Sequence, residues 1–372
     1  MAAFSVPPVE VLLSKRVQEM VLHGEEPLGP YICRSGKDVG ENEDIMSTSP
    51  VPIIDLNRLC SSKISDKERE EELEKLRSAL SSWGCFQGIG HGISASFLDK
   101  IRQVSKEFFK QPIEEKNKYA KTVIDFKVME LTLFRNTVSP LIGLIVSSSM
   151  CSLKIEDSII SGHKCQYHSD WAFQLHKLIS EYFAYSFNVD SIIERPEKMK
   201  MVTEITSKAM AKSLNLEENC FLEQFGKQAQ LAARFNYYSP CQRPDLVLGL
   251  KPHADGTGYT IILQDDVGLQ VLKDGKWYPK DPTALLVLMG DQMEIMSNGI
   301  FNSPVHRVLS NLKKDRVSVA MFYTPEVGKE IGPEDGLVNG DKAKIYKRVK
   351  DYAETHWKFY QRGMRALHTA HV

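Results

Sequence analysis

The amino-acid sequence predicts an α+β fold in which a double-stranded β-helix, or jelly roll, forms the core and helices flank it. After residue 229, short runs of β-branched and aromatic residues are separated by Gly, Asp and Pro, which is typical of an antiparallel barrel. Before that point, apolar residues recur at helical spacing in several segments, with short apolar strands between them. We therefore expect an N-terminal region of helices and strands that leads into a jelly-roll domain.

The composition is that of an ordinary globular protein, with 42% hydrophobic and 26% charged residues and a net charge of −1. This balance favours neither a nucleic-acid nor a membrane partner. The most apolar stretch, PLIGLIVSSSM, is shorter than the roughly 20 residues that span a bilayer. The N-terminus does not resemble a secretory signal. Seven scattered cysteines without a CxxC pair indicate reduced thiols, so we expect a cytoplasmic protein.

The first half of the chain is predicted to contain five helices and two strands. A Ser-x-x-Asp pattern at Ser96 predicts the start of one helix, and Pro112 predicts its end. In chain order, the predicted elements are a helix in VEVLLSKRVQEMV, a strand at 51–56, a helix at 65–84, a strand and turn at 85–93, and helices at 96–112, 199–216 and 217–226.

The second half is predicted to be rich in strands. Gly290-Asp291 and Ser297-Asn298-Gly299 are expected to form tight turns between barrel strands, because Gly and Asn tolerate positive φ. A helical pattern at 342–367 closes the chain. The predicted strands are LAARFNYYS, YTIILQDD, GLQVL, KWYP, ALLVLMGD and VSVAMFYTP.

Two histidines and an aspartate in this region predict a metal site. His253 and Asp255 are two residues apart, so on a strand both side chains would face the same side. His306 follows fifty-three residues after His253 and is expected on a later strand that returns to the same end of the barrel. Two imidazoles and one carboxylate form a facial ligand set for non-haem iron(II) and leave coordination positions open.

Arg316 and Ser318 follow His306 by about ten residues. An arginine with a neighbouring hydroxyl suits the capture of a carboxylate by charge-assisted hydrogen bonds. The metal ligands and this anchor together predict an iron enzyme that holds a dicarboxylate co-substrate beside its metal.

The chain resembles the plant-type iron(II)/2-oxoglutarate-dependent dioxygenases. The matching blocks cover the N-terminal third and nearly everything after residue 199, and in texture they are nearest to the branch of senescence-related, alkaloid-demethylating and norcoclaurine-synthase-like members. They include VPIIDL, WGCFQGIGHGI, ARFNYYSPC, LKPHADGTGYTIILQDD, GLQVLKDGKW, GDQMEIMSNGIFNSPVHRV and RVSVAMFYTP.

The resemblance implies that His253, Asp255 and His306 bind Fe(2+). It also implies the reaction, in which molecular oxygen oxidatively decarboxylates 2-oxoglutarate and a small plant metabolite is hydroxylated, demethylated or desaturated. Ascorbate is expected to support turnover. One alternative is a catalytically impaired relative that retains the iron ligands. Another is an enzyme like ACC oxidase, which shares the ligands and the Arg-x-Ser pair but needs no 2-oxoglutarate.

The resemblance further implies a binding site for 2-oxoglutarate. Arg316 and Ser318 would hold the distal carboxylate, with help from Tyr238, and Asn236 would lie near the carboxylate that chelates the metal. A planar guanidinium and neutral hydroxyl donors suit this task. From the residues alone, Tyr238 and Asn236 are equally well explained as a strand tyrosine and a structural amide.

Residues 127–198 depart from the family pattern. The family runs Gly-Tyr-Gly, Asp-Trp-x-Asp, Trp-Pro and Ser-Phe-Arg here, and none of these appears. A back-translation read in a shifted frame can restore those blocks, so we hypothesise a frameshift over about residues 127–175 and a misjoined piece before residue 199. Such a change would weaken the core and alter the substrate pocket. Sequencing the transcript tests this hypothesis, and an in-frame message for these residues would contradict it.

The predicted organisation therefore has six parts. They are an N-terminal lead-in at 1–50, an N-terminal dioxygenase region at 51–126, the aberrant segment at 127–198, a helical support at 199–228, the jelly-roll domain at 229–330 and a C-terminal helical region at 331–372.

Overall fold

A computed structural model describes residue 24 and residues 51–112, 151–155, 196–282, 284–338, 343–360 and 362–372. The predicted N-terminal helix and most of the 127–198 segment lie outside these residues. The described α-helices are α1 (Leu56–Cys60), α2 (Asp66–Ser82), α3 (Ala95–Lys110), α4 (Pro196–Ser213), α5 (Cys220–Phe225), α6 (Asp291–Met296) and α7 (Tyr352–Tyr360).

Two sheets form the jelly roll, which confirms the predicted fold class, and their paired strands are antiparallel except for the parallel pair β1 and β2. The larger sheet has the strand order β1-β2-β9-β6-β11-β4-β3 and the smaller one β5-β10-β7-β8. The strands are β1 (Ile53–Asp55), β2 (Cys85–Ile89), β3 (Cys151–Ile155), β4 (Gln230–Tyr238), β5 (Leu248–His253), β6 (Tyr259–Gln264), β7 (Leu269–Lys273), β8 (Lys276–Pro279), β9 (Leu285–Met289), β10 (His306–Leu309) and β11 (Arg316–Thr324), with a separate pair β12 (Glu330–Ile331) and β13 (Val349–Lys350).

The larger sheet is covered on both faces. Alternate residues such as Ile262 and Leu286 face the smaller sheet and pack with Val271 and Val308. The intervening residues pack on the other face against helices α2 and α4, as Ile261 does in a cluster that includes leucines of α2. Burial on both faces explains why β9 is a continuous hydrophobic run instead of an alternating one and why every residue of β6 is buried.

The helix predictions hold for position but not in every detail. Ser65 caps α2 through a reciprocal capping box with Glu68. Helix α3 begins at Ala95 and not after Ser96, so the predicted Ser96 cap is wrong. Ser94 has the extended backbone of an N-cap, and the Ser96 hydroxyl bonds to the Ser94 hydroxyl instead.

Part of the aberrant segment is described. Strand β3 (Cys151–Ile155) pairs antiparallel with β4 and forms one edge of the larger sheet, with Cys151 opposite Phe235. Helix α4 starts at Pro196, three residues before the predicted start, and proline suits the first helical position because its missing N–H would have no partner there. The histidines of the segment lie outside the described residues, and the frameshift stays a hypothesis.

Two regions near the C-terminus differ from the prediction. Gly290-Asp291 is not a tight turn between strands, because Gly290 is the N-cap of α6 and Asp291 is its fully buried first residue. The turn at Asn298 and Gly299 is confirmed, with φ values of 52° and 79°. Of the helical pattern at 342–367, only α7 is α-helical, and it follows β13. No described helix is both long and apolar enough to cross a membrane.

Candidate metal and co-substrate site

The structure brings the three predicted metal ligands together at one end of the barrel. His253 ends β5 and His306 begins β10, and the two residues are directly paired with ring centroids 4.2 Å apart. The prediction that Asp255 shares a strand with His253 is wrong, because Asp255 lies in the loop two residues beyond the end of β5. One ligand atom from each of the three side chains lies within 4.8 Å of the others.

The N-terminus of α6 holds the loop that carries Asp255. The amides of Asp291 and Gln292 donate to the carbonyls of Asp255 and Thr257 at 2.8 and 3.1 Å. The Gln292 side chain donates to the Gly256 carbonyl at 2.7 Å. These first-turn amides have no partner within their own helix, so the loop satisfies them while they fix its shape.

Hydrogen bonds also orient the ligand atoms. Nδ1 of His253 lies 2.9 Å from the Lys251 carbonyl, and Nδ1 of His306 lies 3.3 Å from the Pro304 carbonyl. Because a carbonyl only accepts, each Nδ1 carries the proton and each Nε2 presents its lone pair.

The two oxygen atoms of the Asp255 carboxylate have different neighbours. Thr260 donates to Oδ2 at 2.6 Å. The other oxygen, Oδ1, lies 3.5 and 3.8 Å from the Nε2 atoms of His253 and His306. Two imidazole nitrogens and one carboxylate oxygen therefore converge on one point.

The electrostatics favour the ligand form of Asp255 and His306. Burial alone raises the pKa of Asp255, but His306, His253 and Thr260 together lower it well below its usual range. Burial, followed by the charge of His253, lowers the pKa of His306 to about 4. A carboxylate with neutral imidazoles is the protonation state that binds a divalent metal, so the donor set fits iron(II).

The four residues predicted to bind the co-substrate lie on two paired strands. Arg316 of β11 is opposite Tyr238 of β4, and Ser318 is opposite Asn236. All four are buried. The Asn236 amide lies 3.3 Å from the Ser318 hydroxyl, and the Arg316 Cζ atom lies 5.0 Å from the Tyr238 ring centroid. Strand register therefore gathers them on one face.

The Arg316 guanidinium is held but not fully satisfied. Its Nε donates to the Asp266 carbonyl at 3.1 Å, and Nη2 donates to the Gln264 side chain. Its Nη1 atom is buried and has no hydrogen-bond partner among the described residues. A buried donor without a partner is costly, and a ligand carboxylate would remove that cost. Gly268 leaves room for the side chain, since a Cβ there would lie 3.0 Å from Arg316 Cδ.

Sequence reasoning missed several residues of the site. Thr260 and Gln264 lie on the same face of β6, four residues apart within the predicted strand YTIILQDD, so their period-two spacing carried a usable signal. Tyr360 of α7 lies against the metal ligands, with its ring centroid 5.6 Å from that of His253. No local pattern marks Tyr360, because its position depends on the path of the C-terminal chain.

Comparisons with known proteins agree with this geometry. The sequence profile of the 2OG-Fe(II) oxygenase superfamily matches residues 229–325, and that of the non-haem dioxygenase in morphine synthesis N-terminal region matches residues 51–139. The chain belongs to the plant 2-oxoglutarate-dependent dioxygenase family, whose enzymes use iron(II) and 2-oxoglutarate. The predicted domain boundaries stay a prediction.

Among its relatives, protein SRG1 of Arabidopsis thaliana is 34% identical over 351 residues, covering 92% of this chain and 91% of the relative. Codeine O-demethylase of Papaver somniferum is 32% identical over 352 residues, covering 92% and 89%. The crystal structure of JOX2 in complex with 2OG, Fe and JA superimposes with a TM-score of 0.67 at 26% identity, covering 96% of this chain and 98% of that one.

Proposed function

We propose that this dioxygenase couples the oxidative decarboxylation of 2-oxoglutarate to the hydroxylation, demethylation or desaturation of a small plant metabolite. His253, Asp255 and His306 would hold the iron. Iron bound there supplies the activation of oxygen that converts 2-oxoglutarate to succinate and carbon dioxide and oxidises the substrate. The observation that carries the proposal is the unpaired Arg316 Nη1 atom in the same barrel interior as the convergent ligand set.

The protein's own residues position the co-substrate. Arg316 pairs with the distal carboxylate of 2-oxoglutarate, and the Ser318 hydroxyl donates to it. Tyr238 packs beside the guanidinium and limits its movement. Asn236, one pair of residues closer to the metal, donates to the carboxylate that chelates the iron. Because these side chains are buried, water competes weakly for the same hydrogen bonds.

The reaction outcome is a separate part of the proposal. Hydroxylation, demethylation and desaturation all begin with removal of hydrogen from carbon, so the same site supports each. The name of codeine O-demethylase supports demethylation as one outcome. A cytoplasmic location is also proposed, because Cys60, Cys85 and Cys220 form no disulfide in the described part of the chain.

The test is succinate release from 2-oxoglutarate by the purified protein with iron(II), ascorbate and oxygen. We expect slow release without substrate and faster release when a metabolite extract supplies one. Oxygen consumption that does not require 2-oxoglutarate would favour an enzyme like ACC oxidase. No iron binding and no succinate would favour the catalytically impaired relative, in which the 127–198 segment has replaced the usual substrate wall.

A further inference from the structure

A second arginine side chain lies in the barrel interior, next to the co-substrate site. Arg234 is two residues before Asn236 on β4, so both side chains lie on the same face of the strand. It is opposite Ala320, two residues beyond Ser318 on β11. Moving along this pair of strands, Arg316 with Tyr238 comes first, Ser318 with Asn236 second, and Ala320 with Arg234 third.

The Arg234 guanidinium is not fully satisfied by the described residues. Its Nε atom is buried without a hydrogen bond, and no residue in the described part of the chain forms an ion pair with it. Its Cζ atom lies 5.2 Å from the ring centroid of Phe322. A ring face attracts the cation but satisfies none of its N–H groups. The arrangement therefore resembles that of Arg316 Nη1, where a donor is held in place for a ligand.

Arg234 lies towards the metal site along this pair of strands. Phe322 is paired with Thr260, which bonds to Asp255. Burial raises the pKa of Tyr360 to about 12, and the charge of Arg234 opposes that rise, so the two side chains interact electrostatically. The Tyr360 ring in turn contacts His253.

The other anionic groups at the site already have partners. Asp255 is shared between the metal position and Thr260, and the proposed function gives the distal carboxylate of 2-oxoglutarate to Arg316. We propose that Arg234 binds a carboxylate of the organic substrate, so that the enzyme acts on small organic acids. This inference rests on the proposed function, because it takes the neighbouring anchor to be occupied by 2-oxoglutarate. A guanidinium fork matches a carboxylate in bidentate geometry, which makes an acid preferable to its ester.

The experiment measures binding and does not require turnover. The probes are 3-phenylpropionate, naphthalene-1-acetate and octanoate, each compared with its methyl ester by calorimetry under nitrogen with iron(II) and 2-oxoglutarate present. We expect at least one acid to bind at least about tenfold more tightly than its ester, because a hydrogen bond to a charged group generally contributes that much to affinity. Arg234→Met should abolish that preference, and Arg234→Lys should retain part of it and show that the site still folds.

Lys251→Met is the matched control, since it removes a different positive charge near Tyr360. The Lys251 Nζ atom lies 4.9 Å from the Tyr360 ring centroid. We expect this variant to keep the acid preference. Equal binding of acid and ester in every pair, including no binding of either, would contradict the proposal. The proposal would also be contradicted if Arg234→Met still preferred acids to esters. It would be contradicted as well if Arg234→Met lost affinity for 2-oxoglutarate while its binding of the acids was unchanged. If the wild type prefers acids but releases no succinate, the proposed function fails while this inference stands.

Discussion

The barrel interior has two halves that are positioned by different means. The co-substrate half, which holds the metal ligands together with Asn236, Arg316 and Ser318, is fixed mainly by the register of paired strands. The substrate half, with Arg234, Phe322 and Tyr360, depends partly on a helix that lies more than one hundred residues from His253 in the chain. A strand pair leaves little freedom to its side chains, whereas a docked helix can shift or vary. The chemistry and the choice of substrate are therefore supported by separate parts of the fold.

One buried residue links the two halves. The Asp291 amide holds the loop of Asp255, and its carboxylate accepts from Tyr352 of α7 at 2.9 Å and from Arg365 at 3.0 Å. Burial raises the pKa of Asp291, but His356 and Arg365 together lower it by more, so the carboxylate stays ionised. Helix α7 is thus docked onto the same short helix that shapes the metal site. The predictions below test how far the halves can be separated.

The largest effect is expected from loss of a metal ligand in the co-substrate half. His306→Ala should weaken iron binding by more than about 100-fold, because even partners one shell further out contribute about 10–100-fold. Iron content after dialysis, together with succinate release, measures this. His91→Ala is the matched control, since His91 only accepts the Ile93 amide in a turn. Normal iron binding by His306→Ala would break the assignment of the ligand set.

The second-largest effect is expected on the binding of 2-oxoglutarate and not on the binding of iron. Arg316→Met should raise the KM for 2-oxoglutarate about 10–100-fold, because it removes a buried charge-assisted hydrogen bond, and leave iron binding intact. Arg316→Lys should restore only part of the affinity, since it keeps the charge without the planar fork. Arg102→Met is the control, because Arg102 contacts the Gln264 carbonyl from helix α3. An unchanged KM in Arg316→Met would mean that Arg316 does not hold the co-substrate.

The sequence predicted the co-substrate half far better than the substrate half. His253, His306, Arg316 and Ser318 lie at strand ends or in strands, where spacing along the chain translates directly into position. Asp255 was assigned to a strand because the spacing does not reveal that β5 stops at His253. Their binding roles remain proposals.

The substrate half could not be predicted in the same way. Tyr360 reaches the site only because α7 packs on Asp291, which is a contact between distant parts of the chain. Helix α6 was missed because six residues of DQMEIM are too few to show helical periodicity. Arg234 was visible in the sequence, but only the structure shows that it faces the barrel interior and that its Nε has no hydrogen-bond partner among the described residues.

A smaller effect tests whether the second carboxylate oxygen of Asp255 needs its partner. Thr260→Val keeps the shape of the side chain but removes the donor to Oδ2, so iron affinity should fall about 10–100-fold, with the affinity for 2-oxoglutarate measured separately. Thr260→Ser retains the hydroxyl and should bind iron nearly as well as the wild type. Equal affinities for the valine and serine variants would show that Oδ1 alone fixes the ligand.

The smallest effect should be confined to the substrate half. Tyr352→Phe removes one hydrogen bond to the buried Asp291 carboxylate and should lower the free energy of α7 opening by about 1.5–3 kcal/mol. Hydrogen exchange of the amides in α7 should therefore become faster, while iron affinity stays the same, because the Asp291 amide still holds the Asp255 loop. Tyr346→Phe, which removes a bond to Glu294 instead, is the control and should leave α7 protected. A loss of iron in Tyr352→Phe would mean that the two halves do not open independently and that substrate binding at α7 is coupled to the metal site.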